Sequence, residues 1–422
     1  MIQTIQLTPG VTLRHYPDKR FKTAVLSIQF QRPLCWEEAA LNALLSNVLL
    51  RGTVKNPDMR SLTARLDGLY GAHISPLMRR IGDRQTIGLF LSCLEDRFAL
   101  PGDRVLAPCL ELVREVLLEP KLVGGIFDPE FVESEKKNLI ADIESELNDK
   151  RSYAAVQMLR SMCAGDSFAL SLRGEKADVE AITAQSLYDH YQKILRESPV
   201  ELFFVGSAGA EEVAAYLMPL AQAIAVEPML LPAQTALHLT AEPREFSETM
   251  DVNQGKLSMG FTTPITNQHA DFAAMQVFNA LYGAGMTSKL FMNVREKLSL
   301  CYYAGSGYYG SKGIVTVSSG IEAANYEIAK EEILRQLQLT AEGEITEAEL
   351  TAAKRGIISG LRSVPDSPGA LENFYGTASM AGMRYDLPGY IRAVSAVTAA
   401  DVARCAASVK LHTVFFLKGE AK

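Results

Sequence analysis

The sequence predicts an α+β fold made of two homologous domains, each a largely antiparallel sheet covered on one face by helices. Three observations lead to this prediction. The order of predicted elements repeats once, with a period of about 200 residues. Strands are mixed with long helices in an order typical of antiparallel sheets with helices on one side. A stretch with several prolines separates the copies. We therefore expect domains at 1–226 and 246–422, joined by a linker at 227–245.

Each copy begins with a strand that is followed by a long apolar helix. The strands are predicted at residues 24–30 and 256–261, and the helices at 37–50 and 271–281. Apolar residues in the two helical stretches recur at the spacing of a 3.6-residue turn, so they lie on one face of each helix. The same pair of elements therefore starts both halves of the chain.

A short helix and a pair of strands with alternating apolar residues follow in each copy. These strands are predicted within 72–94 and 302–320. Both copies then carry a helix with a clear start. In the first copy Pro129 stands at the first helical position. In the second, Thr346 and Glu349 form a capping-box pattern.

Both copies close on the same arrangement of a helix and an apolar strand. Thr183 and Thr398 each precede an alanine at the start of a predicted helix. These helices lead to the strands at 202–206 and 414–417. The shared ending supports a duplicated unit rather than two unrelated domains.

Composition and charge exclude several classes of protein. The chain has 422 residues, of which 48% are hydrophobic and 22% charged, which is ordinary for a soluble globular protein. A net charge of −7 without a basic cluster argues against a nucleic-acid partner. We expect no signal peptide, because no charged segment with a following apolar run opens the chain. No stretch approaches about 18 uninterrupted apolar residues, so no membrane span is expected.

The cysteines and histidines are scattered, and this favours neither disulfides nor a metal site. No two cysteines form a C-x-x-C pair, and no two histidines fall three or four residues apart. We therefore expect reduced thiols and a cytoplasmic protein. The residues are Cys35, Cys93, Cys109, Cys163, Cys301 and Cys405, and His15, His73, His190, His238, His269 and His412.

Four stretches carry a resemblance to a known family. In the first domain they are 44–53, which reads LLSNVLLRGT, and 62–72. In the second they are 283–290, which reads GAGMTSKL, and 294–302, which reads VREKLSLCY. Together they resemble the pitrilysin/insulinase family of zinc peptidases, in its short two-domain bacterial branch, although Ser299 stands where the family usually has glycine. The resemblance implies paired α+β units, two chains of which close around a chamber that engulfs peptides.

The family's zinc helix corresponds to residues 37–50, but its metal ligands are missing here. Where the resemblance implies His-x-x-Glu-His, this chain has Ala43, Ser46 and Asn47 at the three functional positions. Alanine has no lone pair to donate, and serine and asparagine are not usual zinc ligands. We interpret these positions as a degenerate metal site. We expect no catalytic residue, no bound metal and no cofactor in this chain, with zinc supplied by a partner.

Two carboxylates occupy the spacing of the family's third ligand and the glutamate seven residues before it. Glu135 and Asp142 lie two turns apart on a helix predicted at 128–147, and therefore on one face. An insertion around 95–105 accounts for the long interval that separates them from Asn47. The competing interpretation is that both are solvated or ion-paired helix residues.

Arg295 and Tyr302 match the arginine and tyrosine that, in the family, come from the half without zinc. The resemblance implies that both bind substrate at the metal of the other half. An arginine can hold a peptide carbonyl or a terminal carboxylate with two parallel hydrogen bonds. A tyrosine hydroxyl can donate to an oxyanion as its charge develops. The alternative is a surface arginine and a sheet tyrosine without such roles.

These observations favour a non-catalytic, substrate-binding subunit of a heterodimeric zinc metallopeptidase. Its partner would be a paralogous subunit that carries His-x-x-Glu-His, its substrate a peptide, and a homodimer is also expected of the isolated chain. The alternative hypothesis is a peptide-binding or structural scaffold protein of the same fold without peptidase activity. A hydrolase that uses other residues is disfavoured, because no Gly-x-Ser-x-Gly elbow is present. Gly283 and Gly285 lack the Gly-Lys-Ser/Thr of a phosphate-binding loop.

Overall fold

The computed structural model describes residues 2–146, 148–233, 235–237 and 242–419. Two predicted features lie partly outside this described part. They are the helix end at 147 and the linker, of which positions 234 and 238–241, including His238, are not described. The chain forms two compact units. Unit 1 comprises Met1–Glu144, Leu170–Ala233 and Pro365–Thr377, and unit 2 comprises Ser145–Ala169, Gln234–Val364 and Ala378–Lys422. The predicted boundaries of the homologous domains stay a prediction, since these compact units are not continuous in sequence.

Thirteen strands are found in the described part of the chain. They are β1 Gln3–Thr8, β2 Val11–Pro17, β3 Thr23–Pro33, β4 His73–Ile81, β5 Arg84–Leu94, β6 Leu122–Val123, β7 Ile126–Phe127, β8 Val200–Gly206, β9 Arg244–Met250, β10 Gly255–Thr262, β11 Cys301–Tyr309, β12 Ile314–Ile321 and β13 Lys410–Gly419. The strands predicted from sequence are confirmed by β3, β4, β5 and β8 in the first copy and by β10 to β13 in the second.

Helices connect these strands. They are α1 Trp36–Leu49, α2 Met59–Asp67, α3 Leu106–Leu118, α4 Pro129–Ser145, α5 Lys150–Met162, α6 Lys176–Ala181, α7 Ala184–Glu197, α8 Ala210–Ala223, α9 Phe272–Tyr282, α10 Tyr326–Ala341, α11 Glu347–Ser363, α12 Pro368–Met380, α13 Leu387–Ala396 and α14 Ala399–Ala407. A π-helix spans Leu290–Lys297. The predicted capping residue Thr346 accepts a hydrogen bond from the third helical N–H of α11. Thr183 and Thr398 do the same at the starts of α7 and α14.

The two sheets share one strand order, which confirms the α+β class and the internal repeat. The sheet of unit 1 runs β1-β2-β8-β3-β5-β4, and that of unit 2 runs β11-β12-β10-β13-β9. In both, neighbouring strands are antiparallel except for one parallel pair, β2 with β8 and β9 with β13. Strands β9 to β13 therefore correspond to β2, β3, β4, β5 and β8, and β1 has no counterpart in the described part of unit 2.

The main core of unit 1 lies between its sheet and its own helices. Leu26 and Ile28 of β3 belong to a buried apolar cluster that also contains Leu44 and Leu45 of α1. Because side chains alternate along a strand, Ser27 points to the opposite face of the sheet. That face is covered in part by α12, which comes from the C-terminal half of the sequence.

Unit 2 receives a helix from the N-terminal half in the same way. Helix α5 packs against β10 and β13, and Met158 and Met162 join a buried apolar cluster with Leu417. A Cβ atom at Gly260 would lie 2.5 Å from the sulfur of each methionine, so glycine allows the close approach of helix and strand. Each sheet thus has one helix on the face opposite its main core, which the sequence analysis did not predict. Within the described residues, no helix is long and apolar enough to cross a membrane.

Candidate functional site

The three positions of the predicted degenerate metal site lie on helix α1 of unit 1. Ala43 is buried in the main core, and Ser46 is also buried. Asn47 is half-buried, and its amide nitrogen donates a hydrogen bond to the carbonyl oxygen of Ala43 at 3.1 Å. The side chains at these positions therefore serve the packing and hydrogen bonding of the helix itself.

A cleft of about 470 Å³ lies beside Asn47 and is lined on one side by α2. Arg51 and Glu135 also line it, and Nη1 of Arg51 donates to Oε1 of Glu135 at 3.0 Å. The other carboxylate oxygen of Glu135 accepts from Asn138 at 3.2 Å. The guanidinium of Arg51 also lies 5.5 Å from the ring centroid of Phe131. The negative charge of Glu135 is therefore paired with an arginine of its own unit.

Of the two predicted carboxylates, only Glu135 lines this cleft. Asp142 lies two turns further along α4 and is exposed. Its assignment as the counterpart of the family's third ligand stays a prediction. No group of three or more His, Cys, Asp or Glu side chains that could hold a metal ion occurs in the described part of the chain.

Arg295 lies on the π-helix, a distortion that is frequent at functional sites. Its side chain is 41% exposed, and its Nε atom lies 3.6 Å from the carboxylate of the adjacent Glu296. The guanidinium carbon lies 4.6 Å from the ring centroid of Phe291. A cation–π contact attracts the guanidinium to the ring without using its N–H donors. These donors can therefore also bind a further acceptor.

Tyr302 lies on β11, an edge strand of the unit 2 sheet that follows the π-helix. The pairing of β11 with β12 shifts register between Cys301 and Tyr303, so Tyr302 lies at a β-bulge. Bulges re-aim side chains and are common at sheet edges and next to active sites. Tyr302 is 66% exposed, and its hydroxyl lies 3.4 Å from the carboxylate of Glu322, which is a long hydrogen bond.

Ser299, between the π-helix and β11, adopts a backbone conformation that normally requires glycine. Its φ angle is +51°, in the left-handed region that disfavours residues with a Cβ atom. This is the position at which the related family usually has glycine. The turn between Arg295 and Tyr302 therefore holds a serine in a conformation that favours glycine.

A buried polar network on α1 was missed by the sequence analysis. The Nε2 atom of His190 is 2.8 Å from Oδ1 of Asn42, whose amide nitrogen donates to Oε1 of Gln85 at 3.0 Å. Burial lowers the pKa of His190 to about 4. The imidazole is therefore neutral at pH 7. The available signal was Asn42 itself, an amide on the apolar face of a predicted helix.

The same helix carries a buried ion pair one turn earlier. Glu38 accepts hydrogen bonds from Nε of Arg32 and from Nζ of Lys193, each at 2.8 Å. Burial by itself would raise the pKa of Glu38, but the hydrogen bonds and charges of Arg32 and Lys193 outweigh it and hold the pKa at about 2. Helix α1 is thus fixed in unit 1 by polar contacts as well as by apolar packing.

Comparison with known proteins identifies the family to which this fold and this degenerate helix belong. Residues 181–357 match the family described as "Peptidase M16 inactive domain". The "Probable inactive metalloprotease YmfF" of Bacillus subtilis (strain 168) is 32% identical over 418 residues, which cover 97% of this chain and 96% of that protein. This chain is an inactive member of the M16 peptidase family. The predicted resemblance to the pitrilysin/insulinase peptidases is thereby confirmed.

Solved structures agree with this assignment. A conserved protein from Enterococcus faecalis V583 superimposes with a TM-score of 0.93 at 28% identity, covering 100% of this chain and 99% of that one. The peptidase M16 inactive domain from Pseudomonas fluorescens gives a TM-score of 0.82 at 17% identity over 100% of this chain and 98% of its own, which supports the fold.

Proposed function

We propose that this M16 homologue is the non-catalytic, substrate-binding subunit of a heterodimeric zinc metallopeptidase of the cytoplasm. In this proposal a paralogous partner with the His-x-x-Glu-His motif supplies zinc and the general base. This chain supplies part of the peptide chamber together with Arg295 and Tyr302. The observation that carries the proposal is the contrast between the buried ligand positions on α1 and the exposed pair in unit 2.

The chemistry of the pair supports a role in substrate binding. The guanidinium of Arg295 lies 4.6 Å from the ring centroid of Phe291 and keeps N–H donors that can form two parallel hydrogen bonds to a peptide carbonyl or carboxylate. The Tyr302 hydroxyl has a single, long hydrogen bond among its described contacts, so it can turn toward an oxyanion at little cost. A protein that acts only as a scaffold has no need for either arrangement.

Mixing the two subunits tests the proposal directly. A quenched fluorescent peptide library would be incubated with this chain alone, with a zinc-motif paralogue alone and with an equimolar mixture. We expect cleavage only in the mixture, because each subunit holds half of the site. A stable complex without cleavage would instead support the alternative of a peptide-binding or structural scaffold.

Replacing the arginine separates its role from the assembly of the complex. In the active mixture Arg295→Ala should lower turnover by about 100-fold, as expected for the loss of one donor to a developing charge. Arg355→Ala is the matched control, since Arg355 is an exposed arginine on α11 of the same unit. Equal turnover in the two variants would assign Arg295 to structure only.

A further inference from the structure

The outer edges of the two sheets differ at corresponding strands. In unit 1, β2 pairs on one side with β8 and on the other with β1, which runs antiparallel to it. In unit 2, β9 corresponds to β2 and pairs with β13. Among the described residues, no strand pairs with the other side of β9. Unit 2 therefore has an open edge where unit 1 has an additional strand.

Strand β9 exposes both backbone and side-chain groups along this edge. Every second residue of a strand directs its N–H and C=O away from the neighbouring strand, so these groups lack a sheet partner in β9. The first four residues of β9 are all exposed, and Phe246 keeps 39% of its surface accessible to solvent. Exposed strand edges of this kind are sites at which a further strand adds.

Two of the three charged side chains of β9, Arg244 and Glu248, lie on one face of the strand, whereas Glu245 lies on the other and accepts hydrogen bonds from Tyr326 and Lys330. Arg244, Phe246 and Glu248 alternate in position and therefore share a face. The guanidinium of Arg244 donates to the carbonyl oxygen of Ser161 at 2.9 Å, and Glu248 accepts from the Tyr153 hydroxyl at 3.0 Å. Both contacts are with α5 or its last turn, so the opposite charges lie on the same side of the sheet.

Charge complementarity selects one partner and one register for this edge. When two antiparallel copies of β9 pair about a two-fold axis at Phe246, Arg244 of each copy faces Glu248 of the other. The two Phe246 rings then face each other at the centre. An axis at Glu245 would place two carboxylates opposite each other, and an axis at Ser247 would place Phe246 opposite Glu248.

We propose that β9 pairs antiparallel with β9 of a second copy of this chain, with Phe246 at the two-fold axis, and joins the two sheets into one. Edge strand addition supplies backbone hydrogen bonds, and the two Arg244–Glu248 pairs set the register. Strand β11, with Tyr302, lies at the opposite edge of the same sheet and stays free. The proposal is therefore independent of the proposed peptidase role.

Charge reversal tests the interface in solution. Light scattering after size-exclusion chromatography would give the mass of the wild type, Arg244→Glu, Glu248→Arg and the double variant from 1 to 100 μM, concentrations on the order of those at which weak interfaces dissociate. We expect a wild-type dimer whose dissociation constant rises about 10-fold or more in each single variant and recovers in the double variant. Arg355→Glu, an exposed charge reversal on α11, should behave as wild type.

Three outcomes would overturn the proposal: a monomeric wild type, single variants that dimerise as the wild type does, or a double variant that fails to recover. Circular dichroism of each variant establishes that it is folded.

Cysteine trapping tests the register independently of the charges. Directly opposed residues of an antiparallel pair have Cα atoms about 4.5–5.5 Å apart, within reach of a disulfide. Phe246→Cys should therefore give a disulfide-linked dimer on mild oxidation with glutathione disulfide, two thiols giving up two electrons and two protons to the oxidant. Ser247→Cys should not, because the copies of residue 247 lie on diagonal positions about 7–8 Å apart. Cross-linking of both variants alike, or of neither, would contradict the Phe246 register.

Discussion

The two units differ in the contacts that hold a helix against the face of the sheet opposite the main core. Each sheet has a helix from the other half of the sequence on one face, α12 in unit 1 and α5 in unit 2. Under α12, the carboxylate of Glu372 is fully buried and accepts two hydrogen bonds from Arg79, at 2.9 and 2.7 Å, and one from Ser27. Under α5, Met158 and Met162 pack directly on Gly260.

The corresponding strand residues explain the difference. Gln29 of β3 and Gly260 of β10 occupy equivalent places, each directly before a buried phenylalanine of its strand. The amide of Gln29 lies 3.3 Å from Glu372, whereas the absence of a side chain at Gly260 makes room for two sulfur atoms. A polar contact depends on every partner being present, whereas apolar packing loses stability in proportion to the atoms removed. Unit 1 should therefore be the more sensitive unit to single polar changes and to acid.

The largest expected effect is in unit 1, from Glu372→Gln. This change leaves the Arg79 guanidinium without its charged partner in a mostly buried site, so we expect a loss of about 3–5 kcal/mol in the free energy of unfolding. Trp36, the single tryptophan of the chain, lies in unit 1, so its fluorescence during urea unfolding reports on that unit. Glu130→Gln, at an exposed position on α4, is the control. A shift below about 1 kcal/mol for Glu372→Gln would show that the ion pair does not hold α12.

Acid should also destabilise unit 1, through His190. The folded pKa of about 4 lies below the usual histidine pKa of 6.5, so the unfolded chain binds the extra proton as the pH falls. The stability from keeping this histidine neutral is complete above pH 6.5 and is lost toward pH 4, by about 3 kcal/mol in total. Glu38, with a folded pKa of about 2, adds a further loss below pH 4.5.

Urea unfolding followed by Trp36 fluorescence at pH 7, 6, 5 and 4, roughly the range between the two His190 pKa values, measures this dependence. His190→Gln keeps a hydrogen-bond donor and should flatten the dependence between pH 6.5 and 4. The exposed His73→Gln should leave it unchanged. Identical pH profiles in wild type and His190→Gln would remove His190 as the cause.

A smaller effect is expected in unit 2 from Met158→Ala. Met158 is fully buried, and truncation of a buried methionine leaves a cavity that reduces the free energy of unfolding by about 2–3 kcal/mol. Far-UV circular dichroism should report this loss, while the midpoint of the Trp36 transition should move less. Met286→Ala, at a methionine that is 78% exposed, is the matched control. If Met158→Ala moved the midpoint followed by Trp36 fluorescence more than the midpoint followed by circular dichroism, Met158 would not stabilise unit 2 in particular.

The smallest effect is expected from Ser299→Gly, which should stabilise unit 2. Glycine adopts a φ angle of +51° without the strain of a Cβ atom, and the gain should be about 0.5–1 kcal/mol after the added freedom of the unfolded chain is subtracted. Ser299→Ala keeps the strain and should not stabilise. Thermal unfolding followed by circular dichroism distinguishes the two variants, and equal melting temperatures would show that the turn stores no strain.

Much of the candidate site could be predicted because its signals are local. The capping box before α11 is recognised within four residues, and the motif around Arg295 is continuous in sequence. The degenerate helix was also recognised from the residues that stand at its ligand positions. The ion pair between Glu135 and Arg51 beside Asn47 could not be predicted in this way, because its two residues lie on elements far apart in the sequence.

The sequence by itself determined the repeated α+β unit, the strands and helices of each copy, the M16 resemblance and the absence of its zinc motif. These follow from periodicity, capping and motifs that act over a few residues. Only the tertiary structure decided which helices cross to the other unit and which polar groups they bury. The hydrogen bond between Ser27 and Glu372 joins residues 345 positions apart, and no local pattern marks such a pair. Its stability comes from desolvation and mutual charge, which exist only once the sheet and α12 are in contact.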